Sequence, residues 1–231
     1  MKLLLIDSCG AEGSVAIADA GGDSPRIVSA TLPGRSASEK LIAAVRELTR
    51  QTGIALSKLN AIAVVHGPGS FTGVRVGLSA AKGLCEALNV PLIAISRLAV
   101  LAAAAAQAKP GTQVFPVLDA GRGEFYLGQY LAGVKLMEVL VDSDRLRGRI
   151  DCPEDRVLVV CEESVAAALS SFAPQIVAEP DAASSLPLAL ARIRTRDFED
   201  IASADANYLR RTDLEIFAKV KAQAAASGGR P

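Results

Sequence analysis

Tryptophan is absent from the 231 residues, aromatic side chains make up only 4%, and one histidine, His66, serves the whole chain. So few rings argue against a stacking platform for single-stranded nucleic acid. One histidine leaves a histidine-based metal centre, or a histidine general base, without the partners that either needs. A charge surplus is missing too, because 25 Lys and Arg balance 25 Asp and Glu. No global basic field draws this chain to nucleic acid, and any link to RNA is expected to be indirect. Cys9, Cys85, Cys152 and Cys161 lack C-x-x-C spacing, which argues against a zinc site and a disulfide framework and predicts reduced packing residues. Long apolar runs are lacking as well: Leu3 to Ile6 is too short for a signal-peptide core, and Leu98 to Ala106 cannot span a bilayer. A cytoplasmic location without membrane contact is the expectation.

What is present is a large apolar share, half of all residues, arranged in a repeated order. Strands are predicted at Lys2 to Asp7, Ser14 to Ala18 and Ile27 to Leu32. A helix from Ala37 to Thr52 and a strand from Ala61 to Val65 follow. A second helix runs to about Asn89, then a strand at Pro91 to Ile95 and an alanine-rich helix from Arg97 to about Ala108, broken by Lys109-Pro110-Gly111. The same order then returns, with strands at Val114 to Asp119, Glu124 to Leu131 and Val134 to Val141. A polar helix-like stretch, a strand at Arg156 to Cys161 and a helix at Glu163 to Phe172 complete it. Leu5-Ile6-Asp7 with Gly13-Ser14-Val15 is matched by Val117-Leu118-Asp119 with Gly123-Glu124-Phe125. Two hairpin-led units predict an α/β protein of two similar lobes, the plan of the actin-like and sugar-kinase-like ATPase fold, whose units are ribonuclease H-like. The expected division is 1–110, a smaller lobe at 111–205, and 206–231 as a helix near Asp213 to Ala225 with a flexible tail.

The most sharply defined segment is His66-Gly67-Pro68-Gly69-Ser70-Phe71-Thr72-Gly73-Val74-Arg75-Val76, a glycine-rich turn from strand to helix. Such turns can bind anions at a helix N-terminus or let two backbones approach closely. A P-loop requires lysine directly after the last glycine, and here Val74 and Arg75 follow Gly73. A dinucleotide fingerprint also fails, in its spacing and in the uncharged strand Leu92 to Ile95. Downstream, Gly73, Gly77, Ala81 and Cys85 form one small-residue ridge, with Ser79, Gly83 and Ala87 beside it. Such ridges suit close helix packing, against either the chain's own sheet or a partner helix, while Val74, Leu78 and Leu88 offer a separate stripe for the sheet. Leu41, Val45 and Leu48 form a comparable stripe on the first helix, which internal burial would also explain.

Residues 67–78 with Ala81-Lys82-Gly83-Leu84 resemble the bacterial TsaB (YeaZ) family. Leu5-Ile6-Asp7-Ser8, Leu118-Asp119-Ala120, Arg122-Gly123-Glu124 with Tyr126, and Tyr208-Leu209-Arg210 extend the resemblance over nearly the whole chain. It implies two actin-like lobes and a non-catalytic subunit that binds a paralogous TsaD-type subunit through helices of the first lobe. The TsaD-type subunit would carry the metal and transfer a threonylcarbamoyl group to tRNA, with a TsaE-type ATPase joining the assembly. A homodimer is expected when the partner is absent, and tRNA is met only indirectly. The implied interface comprises Leu41, Val45, Leu48, Ser70, Phe71, Thr72, Gly73, Arg75, Gly77, Ala80, Ala81 and Leu84. No cofactor is expected, and Asp7, Ser8, Gly69 and Asp119 are the candidates for a vestigial nucleotide site. Ala37 stands where many relatives carry histidine.

Two other classes compete. In a sugar-kinase-type nucleotide hydrolase, Asp7 and Asp119 would hold Mg²⁺-bound phosphates from equivalent strand ends. A peptidase, the historical glycoprotease label of this superfamily, would need a base and an orienting group for Ser70, and only His66 lies near it in sequence.

Overall fold

The computed structural model describes residues 1–22, 24–34, 37–105, 111–151 and 156–209. Strands β1 (Lys2–Asp7), β2 (Gly13–Asp19) and β3 (Arg26–Leu32) lead into helix α1 (Ala37–Thr52). Strand β4 (Ala61–Val65), helix α2 (Phe71–Leu88), strand β5 (Leu92–Ile95) and helix α3 (Arg97–Ala103) follow. The second half repeats the order with β6 (Gln113–Gly121), β7 (Glu124–Leu131), β8 (Val134–Asp142), α4 (Ser143–Ile150), β9 (Arg156–Val160), α5 (Glu163–Ala168), β10 (Gln175–Ile176) and α6 (Leu186–Arg194).

Each half forms a five-stranded sheet, ordered β3-β2-β1-β4-β5 in the first and, read from the same edge, β8-β7-β6-β9-β10 in the second. The hairpin strands pair antiparallel, and β1/β4, β4/β5, β6/β9 and β9/β10 pair parallel. Identical order and identical directions make this the two-lobe α/β plan of the actin-like ATPase fold. The central strands read as continuous apolar runs because helices cover both faces of the sheet. Leu4, Ile6, Ile62 and Val64 meet α1 and α2 on one side, while Leu3, Leu5, Ala61, Ala63 and Val65 meet Val100 of α3 with Ala182, Leu186 and Ala189 on the other.

Local chemistry fixes the helix ends. Ser70 caps α2 by accepting from the Gly73 amide at 3.2 Å, and Asn89 closes it in the left-handed region, φ 53°. Glu39 in the first turn of α1 and Arg50 in its last complement the helix dipole. Helix α3 is shorter than its pattern predicts among the described residues and stands between the two sheets. Leu98 and Leu101 pack with Val114, Leu118, Tyr130 and Val159 of the second sheet, while Val100 faces the first. The 3-10 turn at Ala182–Ser185 and the helix α6 come from the second half yet lie on the first sheet. The chain thus crosses between its halves twice. The helix predicted near Asp213 to Ala225 lies outside the described residues.

Leu101→Ala removes a side chain buried in the shared wall. We expect a loss of about 2–5 kcal/mol. Urea unfolding followed by circular dichroism and by tyrosine fluorescence should show one shifted transition for both probes, because neither sheet keeps its cover once α3 loosens.

Candidate functional site

Helix α2 is seated on the end of β1 by its glycines. A side-chain carbon built on Gly73 would lie 1.9 Å from the Ser8 carbonyl oxygen, one on Gly77 2.2 Å from Ser8 Oγ, and one on Gly69 2.4 Å from the Cys9 carbonyl oxygen. Ser8 Oγ donates to the Gly73 carbonyl at 2.7 Å, and the Ser70 amide donates to the Cys9 carbonyl at 2.9 Å. The glycine turn is therefore filled by the chain's own backbone. Gly77 and Ala81, which the resemblance implies at a partner interface, turn inward against Ser8 and the first core. Leu41, Val45 and Leu48 are likewise buried in that core, because the stripe that makes α1 amphipathic is what holds it to the sheet. These five residues are corrected from partner contacts to packing.

The outer face of α2 remains open. Thr72, Arg75, Ser79 and Gly83 are exposed, with Val76, Ala80 and Leu84 half-buried. Among the described residues, nothing lies within 4 Å of a side-chain carbon built on Gly83. A mid-helix glycine there costs about 1 kcal/mol relative to alanine, with no compensating contact among the described residues. At the N-terminal end Phe71 is 52% exposed. The Arg75 guanidinium stacks 3.4 Å from its ring centroid, and the exposed Tyr208 ring lies 5.7 Å from that of Phe71. Tyr208 was visible in the sequence only as part of Tyr208-Leu209-Arg210. What hid its role is that a distant segment returns to α2, held by Lys82 Nζ donating to the Ala202 and Ala204 carbonyls at 3.2 and 3.0 Å.

A cleft of about 660 Å³ lies between the two hairpin units. Ser8, Gly69 and Asp119 line it from separate elements. Asp7 sits behind them, buried, with its carboxylate accepting from the Cys9 amide at 2.8 Å. Burial pushes the Asp7 carboxyl above its ordinary range, against the pull of the Cys9 amide and of Arg97. Asp119 Oδ1 accepts from the Gly121 amide at 2.7 Å, and Glu162 accepts from the Asp119 amide at 2.6 Å. Arg97, the first residue of α3, adds a cation that sequence reasoning missed, since a lone arginine opening an apolar helix carries no motif. Its side chain is 7% exposed and pairs with Glu179 at 2.6 Å. Burial works against the Arg97 charge, but Asp7, Cys9 and Glu179 outweigh it and raise the guanidinium further.

No group of three or more His, Cys, Asp or Glu among the described residues is placed to hold a metal ion. His66 Nδ1 lies 3.0 Å from the Asp205 carbonyl, while Ser70 Oγ is spent on the cap of α2, so neither is placed as half of a catalytic pair. Cys9 and Cys85 are buried free thiols, Cys161 is half-buried, and Cys152 lies outside the described residues. Burial pushes the Cys85 thiol up to about 12 and the Cys161 thiol up to about 11. A further junction joins the halves: the Glu138 carboxylate accepts from Ser96 Oγ and Tyr130 Oη, and from Asn207 Nδ2 at 2.7 Å. No helix among the described residues is long and apolar enough to cross a membrane.

Known proteins resemble this arrangement. The family model for TsaD, tRNA N6-adenosine threonylcarbamoyltransferase, matches residues 13–147. The tRNA threonylcarbamoyladenosine biosynthesis protein TsaB of Escherichia coli is 33% identical over 130 residues, covering 56% of this chain and 55% of that protein. TsaB of Bacillus subtilis is 36% identical over 109 residues, 47% of each. The chain thus aligns with about half the length of these curated relatives. A crystal structure of YeaZ from Pseudomonas aeruginosa is 28% identical, covering 89% of this chain and all of that one, with a TM-score of 0.71. A crystal structure described as of a protein with similarity to peptidase YeaZ from Pseudomonas aeruginosa gives a TM-score of 0.74 at 28% identity over 90% of this chain and 99% of its own.

Two measurements probe this geometry. Gly77→Ala forces a methyl group onto Ser8 Oγ, and a loss of about 1–3 kcal/mol in urea unfolding is expected; an unchanged midpoint would contradict the close seating. Burial lowers the His66 pKa below its ordinary 6.5. His66 therefore contributes stability that is complete above pH 6.5 and is lost as the pH falls through its folded value. Wild type should lose stability relative to His66→Gln between about pH 7.5 and about pH 5.5, and a constant difference would refute the assignment.

Proposed function

The chain belongs to the TsaB (YeaZ) family, and from that membership we propose that it is a non-catalytic subunit in the formation of N6-threonylcarbamoyladenosine in tRNA. It supports a TsaD-type catalytic subunit, which performs the transfer. A TsaE-type ATPase joins through that complex, tRNA is contacted indirectly, and the chain self-associates when its partner is missing. The assembly works in the cytoplasm.

The observation that carries this reading is the outer face of α2, where Gly83 meets no neighbour among the described residues, beside exposed Ser79 and half-buried Ala80 and Leu84. A helix that accepts an unneeded glycine on its exposed face is suited to another helix approaching closely. Phe71, Arg75 and Tyr208 supply the large anchors at one end, the residue types that dominate binding energy at interfaces. Thr72 lies within this surface, and Ser70 and Gly73 form its rim beside the cleft. Leu41, Val45, Leu48, Gly77 and Ala81 hold it from beneath.

The cleft's own chemistry fits a non-catalytic role better than nucleotide hydrolysis. Asp7 is turned to the Cys9 amide, and α2 closes over the first hairpin turn where phosphates would need room.

Gly83→Ala and Gly83→Leu separate the roles of this position. Alanine should stabilise the free chain by up to about 1 kcal/mol. Leucine should leave its unfolding close to that of the parent but weaken association with a TsaD-type subunit at least about tenfold, equal to about 1.4 kcal/mol, by calorimetry or size-exclusion chromatography. Unchanged affinity for the leucine variant would remove α2 from the interface.

A further inference from the structure

Among the described residues, the interlobe cleft contains one cation beside several carboxylates, and that cation is incompletely paired. Arg97 lines the cleft with a side chain that is 7% exposed, and among the described residues its buried Nε–H has no hydrogen-bond partner. Its Nη2 donates to a single oxygen of Glu179 at 2.6 Å. A guanidinium edge offers two parallel donors, Nε–H and Nη2–H, which a carboxylate can take together. Glu179 takes one and leaves the other empty.

Glu179 is also the more movable partner. It lies on the stretch between β10 and the Ala182–Ser185 turn and is 48% exposed, so leaving Arg97 moves a carboxylate already in water's reach. Its Oε1 sits 2.5 Å from where a side-chain carbon on Gly10 would stand, and Arg97 Nη2 sits 3.2 Å from the same point. The bare backbone of Gly10 thus gives a carboxylate its place over the hairpin loop. An incoming carboxylate could occupy that place and engage both donors of the fork.

The surroundings select the rest of the ligand. Asp119, Glu162 and Glu179 line the same space, and among the described residues Arg97 is the single lysine or arginine that lines it. Such a field opposes a polyanion such as a triphosphate and attracts a positive group held near the anion. Its volume, about 660 Å³, lies within the range of small-molecule sites. We propose that this cleft binds a small zwitterion of the α-amino-acid type, its carboxylate replacing Glu179 on Arg97 and its ammonium facing Asp119 and Glu162. Glu179 is then an internal stand-in that holds the site until the ligand displaces it. This assignment goes beyond the docking role of α2: Arg97, Asp119, Glu162 and Glu179 lie off that helix, and of its outer face only Thr72 and Val76 also line the cleft.

Titration calorimetry of the full chain with the protein L-amino acids at millimolar concentration tests it. The decarboxylated amine of any binder, orthophosphate and Mg²⁺-ATP serve as controls. At least one amino acid should bind, and its amine should not. Glu179→Gln should tighten that binding about tenfold by removing the competing charge, and Arg97→Lys, which has no fork, should weaken it at least about tenfold. Should Arg97→Lys fail to fold, the exposed Glu179 position decides the matter. Absence of binding by every amino acid overturns the proposal. So does an affinity unchanged in the Glu179 variant, or equal binding of orthophosphate or Mg²⁺-ATP at this site.

Discussion

The contact between α2 and the end of β1 governs the rest of the molecule. Gly69, Gly73 and Gly77 bring the helix so close to Ser8 and Cys9 that no β-carbon fits at any of the three positions. This seating closes the first hairpin turn and sets the floor of the cleft. It also fixes the rotation of the helix, because Val74, Leu78, Ala81 and Cys85 must then face inward. Once that rotation is set, Ser79 and Gly83 have only the outside left to them. One backbone approach thus gives the chain both the floor of its cleft and its open helix face.

The fold was largely legible. The buried strands β1 and β4 are continuous apolar runs, the hairpins are marked by Gly13 and Gly123, and the second unit repeats the first in order. The structure adds what apolar periodicity cannot carry: the two-residue strand β10, too short for a period, and the 3-10 turn at Ala182–Ser185, held by its own capping box. The site was legible in part. Phe71, Thr72 and Arg75 could be placed on the exposed side of α2, but Gly77 and Ala81 were assigned the wrong side. Spacing reveals that a helical ridge is small without revealing which neighbour fills the groove. Arg97, Glu179 and Tyr208 were missed for a shared reason. Their meaning comes from contacts across 82 residues for the Arg97 pair, and from an aromatic that returns to Phe71 from the far end of the chain.

Electrostatic design differs between the two faces. On α2 Arg75 is held over an aromatic ring, where its charge remains available to a partner, while Lys82 is tied to the Ala202 and Ala204 carbonyls. In the cleft Arg97 is buried beside Asp7 and Glu179, so its charge acts over short range against groups of the chain itself. Burial raises Asp7 and Glu162 alike, which lowers the negative charge that Arg97 must balance as the pH falls toward their range.

Helix α3 gives these features a mechanical link. It is seven residues long, and its neighbouring side chains belong to different cores: Val100 to the first, Leu98 and Leu101 to the second. Its first residue is Arg97 and its cap is Ser96, which donates to Glu138 from the other half. The helix is thus an axle with one bearing in each lobe and the cleft's cation fixed at its end. A widening of the cleft that turned about that axle would slide Leu98 and Leu101 and swing the guanidinium with them, coupling the gap between the lobes to the orientation of Arg97.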